Sequence, residues 1–271
     1  MLSAAARNPP RSSGRRCGPG VESIMSSLQQ QVQANLRRVN ERISTAARAV
    51  SRDRAAVGLL AVSKGFGAEA VLAAARAGQR RFGENYVQEA IAKIEAMQRL
   101  AGAGEAAAGG LEWHFIGPIQ SNKTRPIAER CDWVQSVDRL KIAQRLAEQR
   151  PAALPALNVL LQVNVSGEAS KSGVAPAELP ALAYAVAALP RLRLRGLMAI
   201  PQPQADPALQ RPPLAALRRL YDELCAAGLG LDTLSMGMSA DLEAAIAEGA
   251  TLVRVGTAIF GERGLRASSA S

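Results

Sequence analysis

The sequence is short of several things at once, and each shortage closes off a class of function. Its three cysteines, Cys17, Cys131 and Cys225, are odd in number, far apart and form no C-x-x-C pair. A disulfide framework and a zinc site are therefore excluded, and a reducing compartment, the cytoplasm, is expected. Aromatic residues number only nine, and none lies in a base-stacking motif. Of the 33 basic residues five are lysines, at 64, 93, 123, 141 and 171; the remaining 28 are arginines, scattered rather than striped. The formal charge of +10 thus reads as compositional bias, not as a nucleic-acid surface. No apolar run reaches the roughly 18 residues of a membrane helix. The first 24 residues, rich in Arg, Ser, Pro and Gly, lack the apolar stretch of a secretory signal and read as a disordered extension, with Met25 as the expected true start.

What is present is rhythm. After an amphipathic helix expected over residues 28–50, short apolar runs alternate with Ala-rich periodic segments, and Gly, Pro, Asn, Asp or Ser marks each junction. Strands are expected at 57–63, 81–83, 112–116, 133–136, 158–165, 194–200, 233–236 and 252–255. Helices are expected near 69–78, 86–99, 122–129, 138–149, 177–188, 207–227 and 240–248. Eight strands with intervening helices predict an α/β fold, a single (β/α)8 TIM-type barrel over residues 25–265 with an additional N-terminal helix and a disordered tail at 266–271. An open doubly wound sheet fits less well, because no G-x-G-x-x-G follows the first strand.

Barrel active sites form at the carboxyl ends of the strands, so the residues ending each run are the ones to inspect. Strand one ends in Lys64 after Leu59, Leu60, Ala61 and Val62. Desolvation there is expected to favour the free amine, the form that attacks an aldehyde to give a Schiff base. Strands seven and eight of such barrels commonly build a phosphate cup. Ser239 is expected to cap the helix that follows strand seven and to face an anion with its hydroxyl, while Gly256 and Thr257 supply backbone and hydroxyl at the same rim. Strand eight neighbours strand one in a closed barrel, which sets Lys64 roughly 5–10 Å from this cup. That distance suits pyridoxal 5'-phosphate. Arg254, two residues before Gly256, is expected to point inward to where the pyridine nitrogen would lie and to disfavour its protonation.

The motifs "LLAVSK", "RRFGENYVQEAIAKI", "EWHFIGPIQSNK", "VQSVDRLKIAQRL", "LLQVNVSGEASKSGV", "LRGLMAIP" and "LSMGMSADLEAAIAEGATLVRVGTAIFGER" occur in order over about residues 28–263. With them the chain resembles the pyridoxal phosphate homeostasis family, single-domain relatives of the alanine racemase N-terminal barrel. The resemblance implies that Lys64 carries the cofactor as a Schiff base, that Ser239, Gly256 and Thr257 hold its phosphate, that Arg254 faces the pyridine nitrogen, and that Asn85 lies near the ring. An Asx turn is the alternative reading of Asn85. The segment Gly65-Phe66-Gly67 departs from the family pattern just after the lysine and suggests a more mobile pocket mouth.

Racemases on this barrel use a second base, a tyrosine from an additional domain. Here Tyr86, Tyr184 and Tyr221 fall in segments expected to be helical, and no second domain is expected to deliver one. The family role implied is buffering and delivery of the cofactor, possible recipients being apo-enzymes that depend on it, by a monomer with little turnover; weak amino-acid racemisation is the alternative. His114, the one histidine, lies between Trp113 and Phe115 and reads as a packed or hydrogen-bonded core residue. The "SGEASKSGV" segment with Lys171 reads as a loop over the site.

Overall fold

A computed structural model describes residues 19–166 and 172–262. Its eight strands close into a parallel barrel in sequence order: β1 (Gly58–Val62), β2 (Arg81–Glu84), β3 (Glu112–Phe115), β4 (Trp133–Val137), β5 (Leu157–Gln162), β6 (Leu192–Met198), β7 (Thr233–Ser235) and β8 (Leu252–Val255). Every expected strand is present, displaced by three residues at most. The helices are α1 (Pro19–Ala49), α2 (Ala68–Arg76), α3 (Val87–Gly102), α4 (Thr124–Arg130), α5 (Leu140–Gln149), α6 (Leu179–Ala187), α7 (Pro207–Ala226), α8 (Leu242–Ala247) and α9 (Thr257–Phe260). The four-residue α9 was not expected; one turn is too short to carry a helical period.

The α1 helix begins at Pro19, earlier than its amphipathic pattern predicts, so residues 19–24 are helical where disorder was expected. A proline is tolerated in the first turn, where the N–H it lacks has no intrahelical partner. Residues 1–18, the tail beyond 262 and the loop residues 167–171, with Lys171, lie outside the described residues.

The apolar stripe of α1, Val32, Leu36, Val39, Ile43 and Ala47, is buried at spacings of three and four. It packs against α2, α8 and α9, the helices around the seam where β8 meets β1. The strands are buried on both faces, as a barrel covered by helices requires. A large apolar cluster fills the space between sheet and helices. Inside the barrel the apolar packing is divided between two small groups, Leu60, Val62, Ile116 and Leu252 on one side and Trp133, Leu160 and Met198 on the other. Buried polar side chains, His114, Gln135, Ser235 and Arg254, come from β3, β4, β7 and β8. Among the described residues no helix is long and apolar enough to cross a membrane. Cys131 and Cys225 are free thiols; burial, with Asp132 adding to it, pushes Cys131 up to about 12 and leaves it unreactive.

Candidate functional site

The register at the seam sets the site. Leu60 pairs with Arg254 and Ala61 with Val255, so the chain leaving β1 and the chain leaving β8 emerge side by side at the carboxyl end. Gly256 fits because the backbone is crowded there: a Cβ would lie 3.0 Å from the Val62 carbonyl oxygen. Its role is thus close packing of β8 on β1, in addition to any approach to a ligand. Lys64 follows in a turn, half-buried, two residues past the end of β1.

A cavity of about 340 Å³ opens at this end, and Lys64, Asn85, Ser239, Arg254, Gly256 and Thr257 all line it. The six residues singled out in the sequence therefore come together, although they arise from β1, β2, β7 and β8. Asn85 follows β2, and its carbonyl passes so close to Gly117 that any Cβ there would collide with it. Its side-chain Oδ1 is buried and accepts no hydrogen bond within the protein.

Ser239 is in the cavity wall, but it does not cap a helix. The helix starts later, at Leu242, with Asp241 at its N-cap, and the Asp241 carboxylate accepts instead from the Met238 amide at 2.6 Å. That contact lies upstream of the helix, and neither Asp241 nor Ser239 caps its first amides with a side chain. The loop is tied to α1: Arg42 donates to the Ser239 carbonyl at 3.1 Å and pairs with Glu243. The other half of the rim is tied to the same helix, since buried Asn35 donates to the Ile259 carbonyl at 2.8 Å.

Arg254 is buried, with Nη1 donating to Ser235 Oγ at 2.8 Å and Nη2 to the Ala199 carbonyl at 2.7 Å. A guanidinium has five N–H donors, so three remain. Burial lowers it to about 10, against which Asp241 acts, and it stays a cation at neutral pH.

Beneath Lys64 lies a network that sequence reasoning missed. Lys93, on α3, is buried; its Nζ donates to the Ser63 carbonyl and to Glu84 Oε1, both at 2.7 Å. Ser63 Oγ donates to the same carboxylate oxygen at 2.5 Å. The Gly65 amide donates to Glu89 at 2.9 Å. Burial pushes Glu84 above its ordinary value, opposed by Lys93 and by the Ser63 hydrogen bond. These contacts clamp the residues on both sides of Lys64. They also oppose the looseness suggested by Gly65-Phe66-Gly67. Gly65 takes φ +79, Phe66 lies 5.2 Å from the Phe260 ring, and Phe66 itself lines the cavity. The only sequence signal for Lys93 was its rarity.

Residues 29–264 match the family model of the alanine racemase N-terminal domain. The chain is 65% identical over 229 residues to the pyridoxal phosphate homeostasis protein of Pseudomonas aeruginosa, covering 84% of this chain and 94% of that one. It is 54% identical to the protein of the same name from Escherichia coli K12, covering 84% and 95%. Among solved structures, PipY of Synechococcus elongatus with PLP bound is 37% identical at a TM-score of 0.71, covering 85% of this chain and all of that one. Alanine racemase of Corynebacterium glutamicum, 16% identical with a TM-score of 0.63 and coverage of 90% and 64%, shares the fold. The chain belongs to the pyridoxal phosphate homeostasis protein family, built on the alanine racemase N-terminal domain.

Proposed function

We propose that the chain binds pyridoxal 5'-phosphate in this cavity, as a Schiff base on Lys64, and holds and releases it with little or no turnover of amino acids. The observation that carries the reading is the convergence, in one cavity of about 340 Å³, of an amine, a buried cation and the hydroxyls of Ser239 and Thr257. The names of the relatives and the PLP bound to PipY support it. When bound, the cofactor supplies an aldehyde that condenses with an amine and a ring that can draw electrons from the attached carbon. Lys64 Nζ is the covalent anchor, water being lost on condensation. Ser239, Gly256 and Thr257 receive the phosphate, with hydroxyls and backbone amides as donors. Arg254 presents a cation to the pyridine nitrogen and so disfavours a proton there, which weakens the ring as an electron sink. The buried Asn85 Oδ1, with no donor in the protein, fits a polar group of the ligand.

Little turnover follows from the lining. Among the described residues lining the cavity there is no carboxylate, imidazole, thiol or phenol beside the Lys64 amine, and racemisation needs a base on each face. Tyr184 and Tyr221 donate their hydroxyls to the carbonyls of Ala227 and Leu231, and the exposed Tyr86 is not in the cavity wall.

The test is borohydride reduction of cofactor-loaded protein followed by peptide mass mapping. The phosphopyridoxyl group is expected on Lys64, and Lys64→Ala is expected to lose both the label and the visible absorption band. A label elsewhere, or a colourless wild type after incubation with the cofactor, would overturn the reading. Exchange of an amino acid's α-proton in deuterated water at the uncatalysed rate supports holding over turnover; rapid, Lys64-dependent exchange would reject it. Delivery to apo-enzymes is read from their reactivation by loaded protein in the presence of a trap for free cofactor.

A further inference from the structure

Arg254 is the end of a hydrogen-bonded column that crosses the barrel interior from the cofactor cavity to the opposite face. Its Nη1 donates to Ser235 Oγ at 2.8 Å, and Ser235 Oγ donates to Gln135 Oε1 at 2.7 Å. Gln135 Nε2 meets His114 Nδ1 at 2.8 Å, and His114 Nε2 meets Glu112 Oε1 at 2.8 Å. Ser235, Gln135 and His114 are each at most 1% exposed, whereas Glu112 reaches the surface, where it and His114 line a small polar cavity of about 180 Å³ at the amino end of the barrel.

The chemistry of the two ends fixes the direction of every link. An amide nitrogen only donates, so His114 Nδ1 must accept from Gln135; Nε2 then carries the proton and donates to the carboxylate. With its amide oxygen turned to Ser235, Gln135 receives that hydroxyl proton, which leaves a lone pair on Oγ for Arg254. All donors point one way, from the guanidinium to the carboxylate, an arrangement in which each bond polarises the next. Stacking on Trp133, 5.1 Å between centroids and 11° between planes, with Arg195 on the same ring at 4.7 Å, holds the imidazole in the required plane. Burial holds His114 below its ordinary value in spite of Glu112, consistent with a neutral ring.

We propose that Glu112 is a positioning residue for the cofactor cavity, acting from the far end of the barrel. Through His114, Gln135 and Ser235 it sets the polarity of the column, and thereby the orientation and charge distribution of the Arg254 guanidinium. The effect on the cofactor rests on the reading that pyridoxal phosphate occupies the cavity; the polarity of the column does not.

Two measurements on the full chain separate these. Because His114 is the only histidine, imidazole nitrogen NMR of cofactor-free, ¹⁵N-histidine-labelled protein reports the column alone. A neutral ring protonated on Nε2 is expected at neutral pH; an imidazolium, or a proton on Nδ1, overturns the proposal. Glu112→Gln removes the terminal negative charge but keeps an amide oxygen to accept from Nε2–H, and is expected to leave the proton on Nε2 while shifting its nitrogen resonance. In pyridoxal phosphate-loaded protein the same variant is expected to shift the visible band and to speed cofactor exchange several-fold, with Lys64 still trapped by borohydride. Glu105→Gln removes a carboxylate from the loop that leads into β3, where it pairs with Arg76 and touches no member of the column, and should change neither reading. Superimposable spectra for wild type and Glu112→Gln, or an equal shift in Glu105→Gln, overturn the coupling. A wild type that takes up no cofactor overturns the proposed function and the tuning with it, while the tautomer still decides whether the column is polarised as described.

Discussion

Two buried polar networks meet at the candidate site, and they are built on opposite plans. Under Lys64 the network is closed and compact: Lys93 on α3 and Ser63 just past β1 converge on one oxygen of Glu84 on β2, Oε1, while its buried Oε2 has no partner. Under Arg254 it is open and extended, its two charges separated by three groups that are neutral and polarised in series. The difference is one of task. A buried ion pair is stiff because breaking it leaves a charge without a partner, which suits holding a backbone segment in place. A column of neutral groups transmits polarity and can be read at both ends.

The comparison breaks most readily at Lys93. Lys93→Met strands the Glu84 carboxylate and is expected to cost about 3–5 kcal/mol in urea unfolding, most of it recovered when Glu84→Leu is added. Gln135→Leu removes the middle of the column and leaves His114 and Ser235 each short of a partner, at an expected cost of about 1–3 kcal/mol. A larger loss for Gln135→Leu than for Lys93→Met would overturn the contrast.

Acid sharpens it further, because the two networks respond with opposite signs. His114 sits below its ordinary 6.5, so the unfolded chain binds a proton that the folded chain refuses. Its contribution is complete above pH 6.5 and is lost as pH falls from there, by at most about 1.4 kcal/mol per unit. Glu84 sits above its ordinary 4.5, so the folded chain keeps a proton that the unfolded chain releases, and stability falls as pH rises from 4.5 through the raised value. Urea midpoints across pH 4–7 are expected to lose the first slope in His114→Gln and the second in Glu84→Gln. The smallest effect is at the rim. Glu89→Gln keeps an acceptor for the Gly65 amide and is expected to cost under about 1 kcal/mol, read in the same unfolding assay.

The barrel was legible because alternation and turn residues are local signals, repeated eight times. The six residues of the candidate site were legible for a related reason: the fold rule sends the ends of strands to one face, so Lys64, Asn85, Ser239, Arg254, Gly256 and Thr257 could be collected without knowing any distance. The networks beneath them could not be read that way. Lys93 lies on a helix where a lysine ordinarily faces water, and only the approach of Ser63 and Glu84 buries it. Gln135 and Ser235 are unremarkable strand residues until barrel closure brings them within a hydrogen bond across 100 positions of sequence. The capping role expected for Ser239 failed because the helix begins later than its sequence pattern suggests, at Leu242, with no side-chain cap on its first amides.

The tether between α1 and the rim bears on assembly. Asn35 holds the Ile259 carbonyl across 224 residues, and Arg42 holds the Ser239 loop across 197. Contacts so distant in sequence are the slowest to form, because loop closure must precede any reward. During vectorial synthesis, residues near 35 must therefore wait, unpartnered, until residues near 260 have emerged. The pocket becomes a late checkpoint in folding: a ligand that needs both halves of the rim selects chains whose barrel has already closed.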